Sequence, residues 1–263
     1  MKLYDRVERI HNELDALDIA AGAPLTVEQL TPFDQYHYFG TDAVDEAIAA
    51  LELKAGMRVL DVGSGIGGPA RYIAASSGAQ VTALELQPDL DTLAADLTKR
   101  CGLADLVEHR CGDILDGLDE TYDAVVSFLC FLHIADRGRL LAACRAALKV
   151  GGGMYIEDFA QRRSPTAAEA ADLEVKVQCP PLPSPIEYQA QLRAAGFADI
   201  HVEDVSSQWG AFTTSRLQGF RDSRARNVSV HGVDIVDGLD DFYATVARLF
   251  QTGAIGGLKI LAR

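Results

Sequence analysis

Residues 59–75, Val-Leu-Asp-Val-Gly-Ser-Gly-Ile-Gly-Gly-Pro-Ala-Arg-Tyr-Ile-Ala-Ala, restrict the fold of this chain more than any other stretch. Val59, Leu60 and Val62 form a short apolar run whose β-branched content suits a parallel sheet covered by helices on both faces. Asp61 interrupts that run. Gly63, Gly65, Gly67 and Gly68 remove every Cβ that would hold a ligand away from the backbone, and they permit the positive φ of a tight turn. A helix is expected from Gly68 or Pro69, because proline is tolerated in the first helical turn. Its unpaired N–H groups then face whatever binds at the turn.

The spacing Gly63-x-Gly65-x-x-Gly68 also fits the dinucleotide fingerprint of NAD-linked dehydrogenases. Asp61 tilts the choice. A pyrophosphate prefers bare N–H groups with no carboxylate beside them, whereas a ligand bearing an ammonium and a sulfonium welcomes one. The acid therefore favours S-adenosylmethionine over NAD. The stretch closely resembles motif I of class I S-adenosylmethionine-dependent methyltransferases. Its Gly-Ile-Gly-Gly-Pro-Ala-Arg-Tyr-Ile-Ala continuation is most similar to small-amine N-methyltransferases of the sarcosine/dimethylglycine and phosphoethanolamine types, and to their sterol and tocopherol C-methylating relatives. The resemblance implies an α/β, Rossmann-like fold: a seven-stranded, mostly parallel sheet with helices on both faces, an N-terminal helical lid, and a helical cap inserted before the last strand. It also implies an enzyme that takes S-adenosylmethionine and a small-molecule acceptor.

At 263 residues the chain suits one such domain, 1–263, divided into a lid with helices (1–55), a core (56–208), a cap (209–253) and a last strand (254–263). The formal net charge of −14 argues against nucleic acid or an anionic membrane as partner. The five cysteines form no CxxC pair and read as reduced thiols, and the six histidines show no metal-ligand spacing, so no metal is expected. The first ten residues are charged where an export signal is apolar. The longest apolar run, residues 124–135, is too short to span a bilayer. A cytoplasmic protein is expected, with its oligomeric state left open.

In chain order, Leu3, Val7, Ile10, Leu14 and Leu17 lie at helical spacing. A short helix is expected around residues 27–30, broken by Pro32, followed by the aromatic cluster Phe33-Asp-Gln-Tyr-His-Tyr-Phe-Gly40. A helix over 42–53, capped by Thr41 or Asp42, leads into the glycine stretch. Strands are expected over 80–86, 106–111, 122–129, 154–158, 200–205 and 256–262, the last of which the resemblance implies to be antiparallel. Helices are expected over 89–100, 137–148, 164–177 and 185–195, the last with a capping box of Ser184 and Glu187. Two further helical patterns, 213–226 and 233–252, flank a loop at His231-Gly232.

Candidate site residues follow. Glu85, seventeen residues after Gly68, stands where an acid accepts both hydroxyls of a ribose. By resemblance, Asp113 accepts from the adenine amino group and Ile114 covers the ring. Asp61, Gly63, Ser64, Gly65 and Gly67 complete the turn's share of the cofactor contacts, with Leu86 and Phe128 beside the adenosine. Cys130 and Phe131, after the fourth strand, also face the cofactor in this reading. For the acceptor the contacts are Tyr38, His133, Glu157 and Trp209. A simple amine has a pKa near about 10 and needs its proton removed, and His133, with an ordinary value near about 6.5, is the candidate base. The resemblance to phosphoethanolamine methyltransferases implies a tyrosine partner from the lid, with Tyr36 and Tyr38 as the candidates. N-methylation of a small amine is the leading reading; C- or O-methylation of a terpenoid, sterol or phenolic compound is the alternative. An NAD-linked oxidoreductase and a non-catalytic S-adenosylmethionine-binding protein are the alternatives from other classes.

Overall fold

The computed structural model describes residues 7–263, so the Leu3 end of the first expected helix lies outside the described residues. A seven-stranded sheet in the order β3-β2-β1-β4-β5-β7-β6 forms the middle layer. Its strands are β1 (Arg58–Val62), β2 (Gln80–Glu85), β3 (Val107–Cys111), β4 (Tyr122–Phe128), β5 (Leu148–Gln161), β6 (Ile200–Asp204) and β7 (Ile255–Ala262). β1 to β5 pair in parallel, and β7 runs antiparallel to both its neighbours, β5 and β6, as expected.

Helices α1 (Glu8–Ala16), α2 (Val27–Asp34) and α3 (Thr41–Ala50) precede the sheet. α4 (Gly68–Ser77), α5 (Pro88–Arg100) and α6 (Arg137–Ala146) connect its parallel strands, and α7 (Ala167–Asp172) and α8 (Pro185–Ala194) lie between β5 and β6. α9 (Ser206–Asp222), α10 (Arg224–His231) and α11 (Val233–Gln251) are inserted before β7. Among the described residues no helix is long and apolar enough to cross a membrane.

Period-two alternation divides the strands between two cores. Val59, Val81, Ala124, Val126 and Phe128 pack under α3 and α4, against Val44, Ala70 and Ile73. Leu60, Val125, Met154 and Ile156 pack under α6 and α8, against Leu140, Leu141, Tyr188 and Leu192. A third cluster joins the inserted helices to the sheet through Trp209, Leu249 and Phe250, and a fourth lays Ile10, Leu14 and Leu30 against Ile66 of the glycine turn and Leu90, Leu93 and Leu97 of α5.

Several boundaries differ from the sequence reading. α2 continues through Pro32, because a Thr26–Gln29 capping box fixes its start and the Thr31 hydroxyl donates at 3.1 Å to the Glu28 carbonyl, which Pro32, having no N–H, leaves without its helical donor. α3 is capped by Gly40 and not by Thr41 or Asp42, since Phe39 and Gly40 turn the chain with successive positive φ values of 59° and 55°. Gly151, Gly152 and Gly153, just past the helix expected over 137–148, lie inside β5, which already begins at Leu148. Tyr122 pairs with Leu148 and Ala124 with Gly153, so residues 149–152 bulge from the ladder. β5 then passes its expected end at Asp158, because β7 pairs with it as far as Gln161 and Ile255. Residues 164–177 divide into α7 and a π-turn, Leu173–Val177. His231 ends α10, with Nε2 2.8 Å from Glu13 Oε1 of α1, and the expected loop shrinks to Gly232.

Trp209 is fully buried and lies on β7, where a Cβ at Gly257 would fall 2.2 Å from its Cε3. Gly257→Ala is therefore expected to lower stability by about 1–3 kcal/mol. The measurement is a urea titration showing an earlier midpoint at an unchanged slope.

Candidate active site

The strands β2, β1 and β4 end side by side, and chain order reverses direction between β1 and β4. Open α/β sheets bind ligands outside such a switch point. There the structure holds a cleft of about 520 Å³, lined by the glycine turn, the ends of these strands, residues 112–115, 128–130 and 133–135, Asp34 at the end of α2, and Tyr36 and His37 of the arm between α2 and α3.

Gly63, Gly65 and Gly67 take φ values of 75°, 56° and 77°, which is why the turn needs glycine at these places. Gly67 caps α4, and Pro69 sits in its first turn. The Gly63 and Ser64 N–H groups both donate to the Leu84 carbonyl, at 2.9 and 3.1 Å, tying the turn to β2. The Gly65 N–H donates to Glu85 Oε2 and the Gln87 N–H to Oε1, each at 2.9 Å. Glu85 is thus oriented from both sides with lone pairs left over for a ligand. Burial raises its pKa, and these N–H donors oppose the rise.

Asp61 is buried to 1% exposure, and burial, with the Glu85 charge second, pushes its carboxyl up to about 7. Its Oδ2 and the Ser64 Oγ are buried with no hydrogen-bond partner among the described residues. Two unmatched polar atoms on the cleft wall, one an acid, fit the ammonium end of an amino-acid ligand. Asp113 caps the 3₁₀ turn that follows β3, its Oδ1 accepting from the Leu115 N–H at 2.9 Å, and Ile114 is buried beside it in the cleft wall. Leu86 stands exposed at the rim, and Phe128 forms the floor with its ring 4.8 Å from that of His37.

His133 lines both this cleft and a narrow crevice that continues from it; Tyr36 and Leu129 are the other residues common to the two. His133 Nδ1 lies 3.1 Å from the Gln178 carbonyl. A carbonyl only accepts, so Nδ1 carries the proton of the neutral ring and Nε2 is the basic nitrogen. Burial lowers its pKa against the opposing pull of that carbonyl, which favours the neutral, proton-accepting form.

The structure brings together Asp61, Gly63, Ser64, Gly65, Glu85, Leu86, Asp113, Ile114, Phe128, Tyr36 and His133 around one cleft. Five other sequence candidates stand outside it. Gly67 supports the turn from behind, facing Arg71 and His109. Tyr38 lines the crevice, with its ring 4.9 Å from that of Trp209, and Trp209 is core behind it. Glu157 lies inside the sheet on the α3 side, accepting from the Tyr155 hydroxyl at 3.2 Å with Lys259 Nζ at 3.8 Å, while Lys259 also pairs with Glu46 of α3. Phe131, expected beside the cofactor, is fully buried in the core under α6. Cys130 does line the cleft, packed so closely on Gly63 that a Cβ there would fall 2.1 Å from its Sγ. Sequence reasoning missed Asp34, His37 and Gln178. His37 stands in the aromatic arm, where the tyrosines drew attention; Gln178, at φ 55° after a π-turn, has no sequence signal.

The profile of a family described as "Methyltransferase domain" matches residues 35–202. Glycine/sarcosine/dimethylglycine N-methyltransferase of Actinopolyspora halophila is 29% identical over 67% of this chain and 32% of its own length. The 27-O-demethylrifamycin SV methyltransferase of Amycolatopsis mediterranei (strain S699) is 27% identical over 75% of this chain and 76% of its own. The structure of Haemonchus contortus phosphoethanolamine N-methyltransferase 2 in complex with S-adenosyl-L-methionine superposes with a TM-score of 0.74 at 21% identity, covering 90% of this chain and 60% of that one. The chain spans about a third of the length of the first curated relatives it matches.

The acidity of Asp61 makes stability pH-dependent. The carboxyl keeps its proton up to about 7 in the folded chain and loses it near 3.8 when unfolded, so between these values the folded state binds one proton more. The contribution is full below the lower value and is lost as pH rises through the upper one. Asp61→Asn is expected to flatten this fall and to leave the ligand-free variant more stable than the parent at pH 8, read from urea midpoints at several pH values.

Proposed function

This chain belongs to the class I S-adenosylmethionine-dependent methyltransferases, and from that premise we propose that it transfers a methyl group from S-adenosylmethionine to a small-molecule acceptor, in the first place the nitrogen of a small amine. The observation that carries the reading is the buried Asp61 carboxyl, with unpartnered Oδ2, beside Ser64 and the glycine turn. A pyrophosphate would meet Asp61 and Glu85 as repulsive charges, which weighs against an NAD-linked oxidoreductase. An amino acid's ammonium meets them as partners. The free thiols support a reducing, cytoplasmic setting.

Asp61 and Ser64 bind the ammonium end of the donor, Glu85 holds the ribose, and Asp113 with Ile114 holds the adenine. S-adenosylmethionine, when bound, supplies an electrophilic methyl carbon with a neutral thioether as leaving group. This chain's own contribution is then chiefly alignment, which accounts for about 7–11 kcal/mol of barrier in well-oriented systems. His133 Nε2 takes the proton from the acceptor's ammonium, leaving the nitrogen with a free lone pair for the methyl carbon that the bound donor would supply. Tyr36 lines both the cleft and the crevice, where it closes the approach to water and offers a π-face to a methylated ammonium.

The natural-product reading, C- or O-methylation, has its own support. The Amycolatopsis relative aligns over three quarters of its length, and the crevice beyond His133 is walled by Leu132, Phe159, Val177 and Phe242. Calorimetric titration with S-adenosylmethionine and with NAD tests the donor, with binding of the first alone expected. A tritiated-methyl screen of amines, phenols and isoprenoids then tests the acceptor. With the amine so identified, His133→Gln is expected to lower turnover at neutral pH by about 10²–10⁴-fold and to recover partly at high pH, where the amine sheds its own proton. Unchanged turnover across pH removes His133 from the role of base.

A further inference from the structure

A second charged pair is buried at the glycine turn, outside the groups assigned above. Arg71 in the first turns of α4 and Asp34 at the end of α2 have fully buried side chains, with Nη2 2.9 Å from Oδ2. Arg71 Nη1 reaches the Ala94 carbonyl and Thr98 Oγ1 of α5, each at 3.4 Å, and Thr98 Oγ1 lies 2.7 Å from His109 Nε2 of β3. Toward the cleft, Gln35 Nε2 donates to Asp34 Oδ1 at 2.9 Å, and its Oε1 lies 2.8 Å from His37 Nε2. Burial keeps His37 neutral, so it carries one ring proton; with that proton on Nε2 it donates to the Gln35 amide oxygen, and Nδ1, 3.0 Å from the Tyr38 carbonyl, makes no second hydrogen bond. One continuous line of polar contacts thus runs from β3, through the helix that starts at the turn, to the arm that roofs the cleft.

Two glycines of the turn serve this line. A Cβ at Gly68 would fall 2.4 Å from the Asp34 carbonyl oxygen, and one at Gly67 would fall 2.8 Å from His109 Cε1 and 2.9 Å from Arg71 Nη1. A buried ion pair is poor evidence for stability, since an apolar pair of similar volume often serves as well or better. What it does supply is direction: a guanidinium fork held by α5 fixes one carboxylate, which orients one amide, which orients one imidazole.

We propose that Arg71 is a positioning residue that, through Asp34 and Gln35, holds Tyr36 and His37 over the donor cleft, making the turn and its roof one unit. The inference rests on reading the cleft as the donor site. Arg71→Met combined with Asp34→Asn removes both charges while keeping an amide oxygen for Gln35, and so avoids the lone buried charge that either change alone would leave. Gln35→Leu is the second variant, cutting the line with the ion pair intact.

The probe is S-adenosylhomocysteine, followed by calorimetry and by amide hydrogen exchange. In the parent its binding is expected to protect the amides of residues 63–67 and 35–40 together. In both variants the affinity is expected to fall by about tenfold or more, with protection of 63–67 retained and that of 35–40 lost. Parental affinity and parental protection of 35–40 in either folded variant would overturn the proposal, and Gln35→Leu decides alone if the double variant does not fold. Failure of the parent itself to bind S-adenosylhomocysteine overturns the donor reading, and this inference with it.

Discussion

Two carboxylates at the ends of adjacent strands, where burial works against their charge, set the terms for the rest of this structure. Glu85 is met by N–H donors from Gly65 and Gln87, and the turn's three positive φ values serve to aim the first of these while returning the chain into α4. Asp61 receives no such donor at Oδ2. A buried charge without a partner costs several kcal/mol, so an acid in that place is sustained by its proton or by a cation that enters the cleft. The same geometry therefore sets the chemistry of the ligand and the pH response of the ligand-free chain.

Much of this was legible in the sequence because it depends on local chemistry. Glycines at Gly63, Gly65 and Gly67 have few substitutes when φ is positive, and the Ser184–Glu187 capping box appears as expected. The antiparallel final strand came with the family resemblance and is present in the sheet. What escaped depends on partners distant in the chain. β5 outruns its expected end because β7 lies alongside it, and so Glu157 and Asp158, expected at the edge, are interior. α2 survives Pro32 because its neighbour Thr31 supplies the missing donor. In the site, the turn and Glu85 were visible from spacing alone, whereas Gln178 enters through a π-turn that no residue pattern announces.

The two acids inside β5 point to opposite faces and are handled differently. Asp158 meets Arg137 Nη2 at 2.9 Å and the Tyr188 hydroxyl at 3.0 Å, on the α6 and α8 side, where the guanidinium also lies over the Tyr188 ring. Glu157 on the α3 side has the weaker neighbour, Lys259 at 3.8 Å, and burial pushes its carboxyl up to about 7. Strand alternation places one acid against a guanidinium and a hydroxyl and the other near its neutral form, although the two are consecutive in sequence.

The position of β7 has a consequence for the order of assembly. It is synthesised after β6 yet lies between β5 and β6, so neither of those strands has its partner along that edge until residues 255–262 have emerged. Until then β5 carries an open edge of apolar strand, including Ile156 and Phe159, of the kind that recruits other chains. The three helices inserted before β7 prolong that interval during translation. Once β7 slots in, its own smooth glycine pair, Gly256 and Gly257, lets Ser206 and Trp209 close over it, and the sheet is sealed by the last of its seven strands to be made.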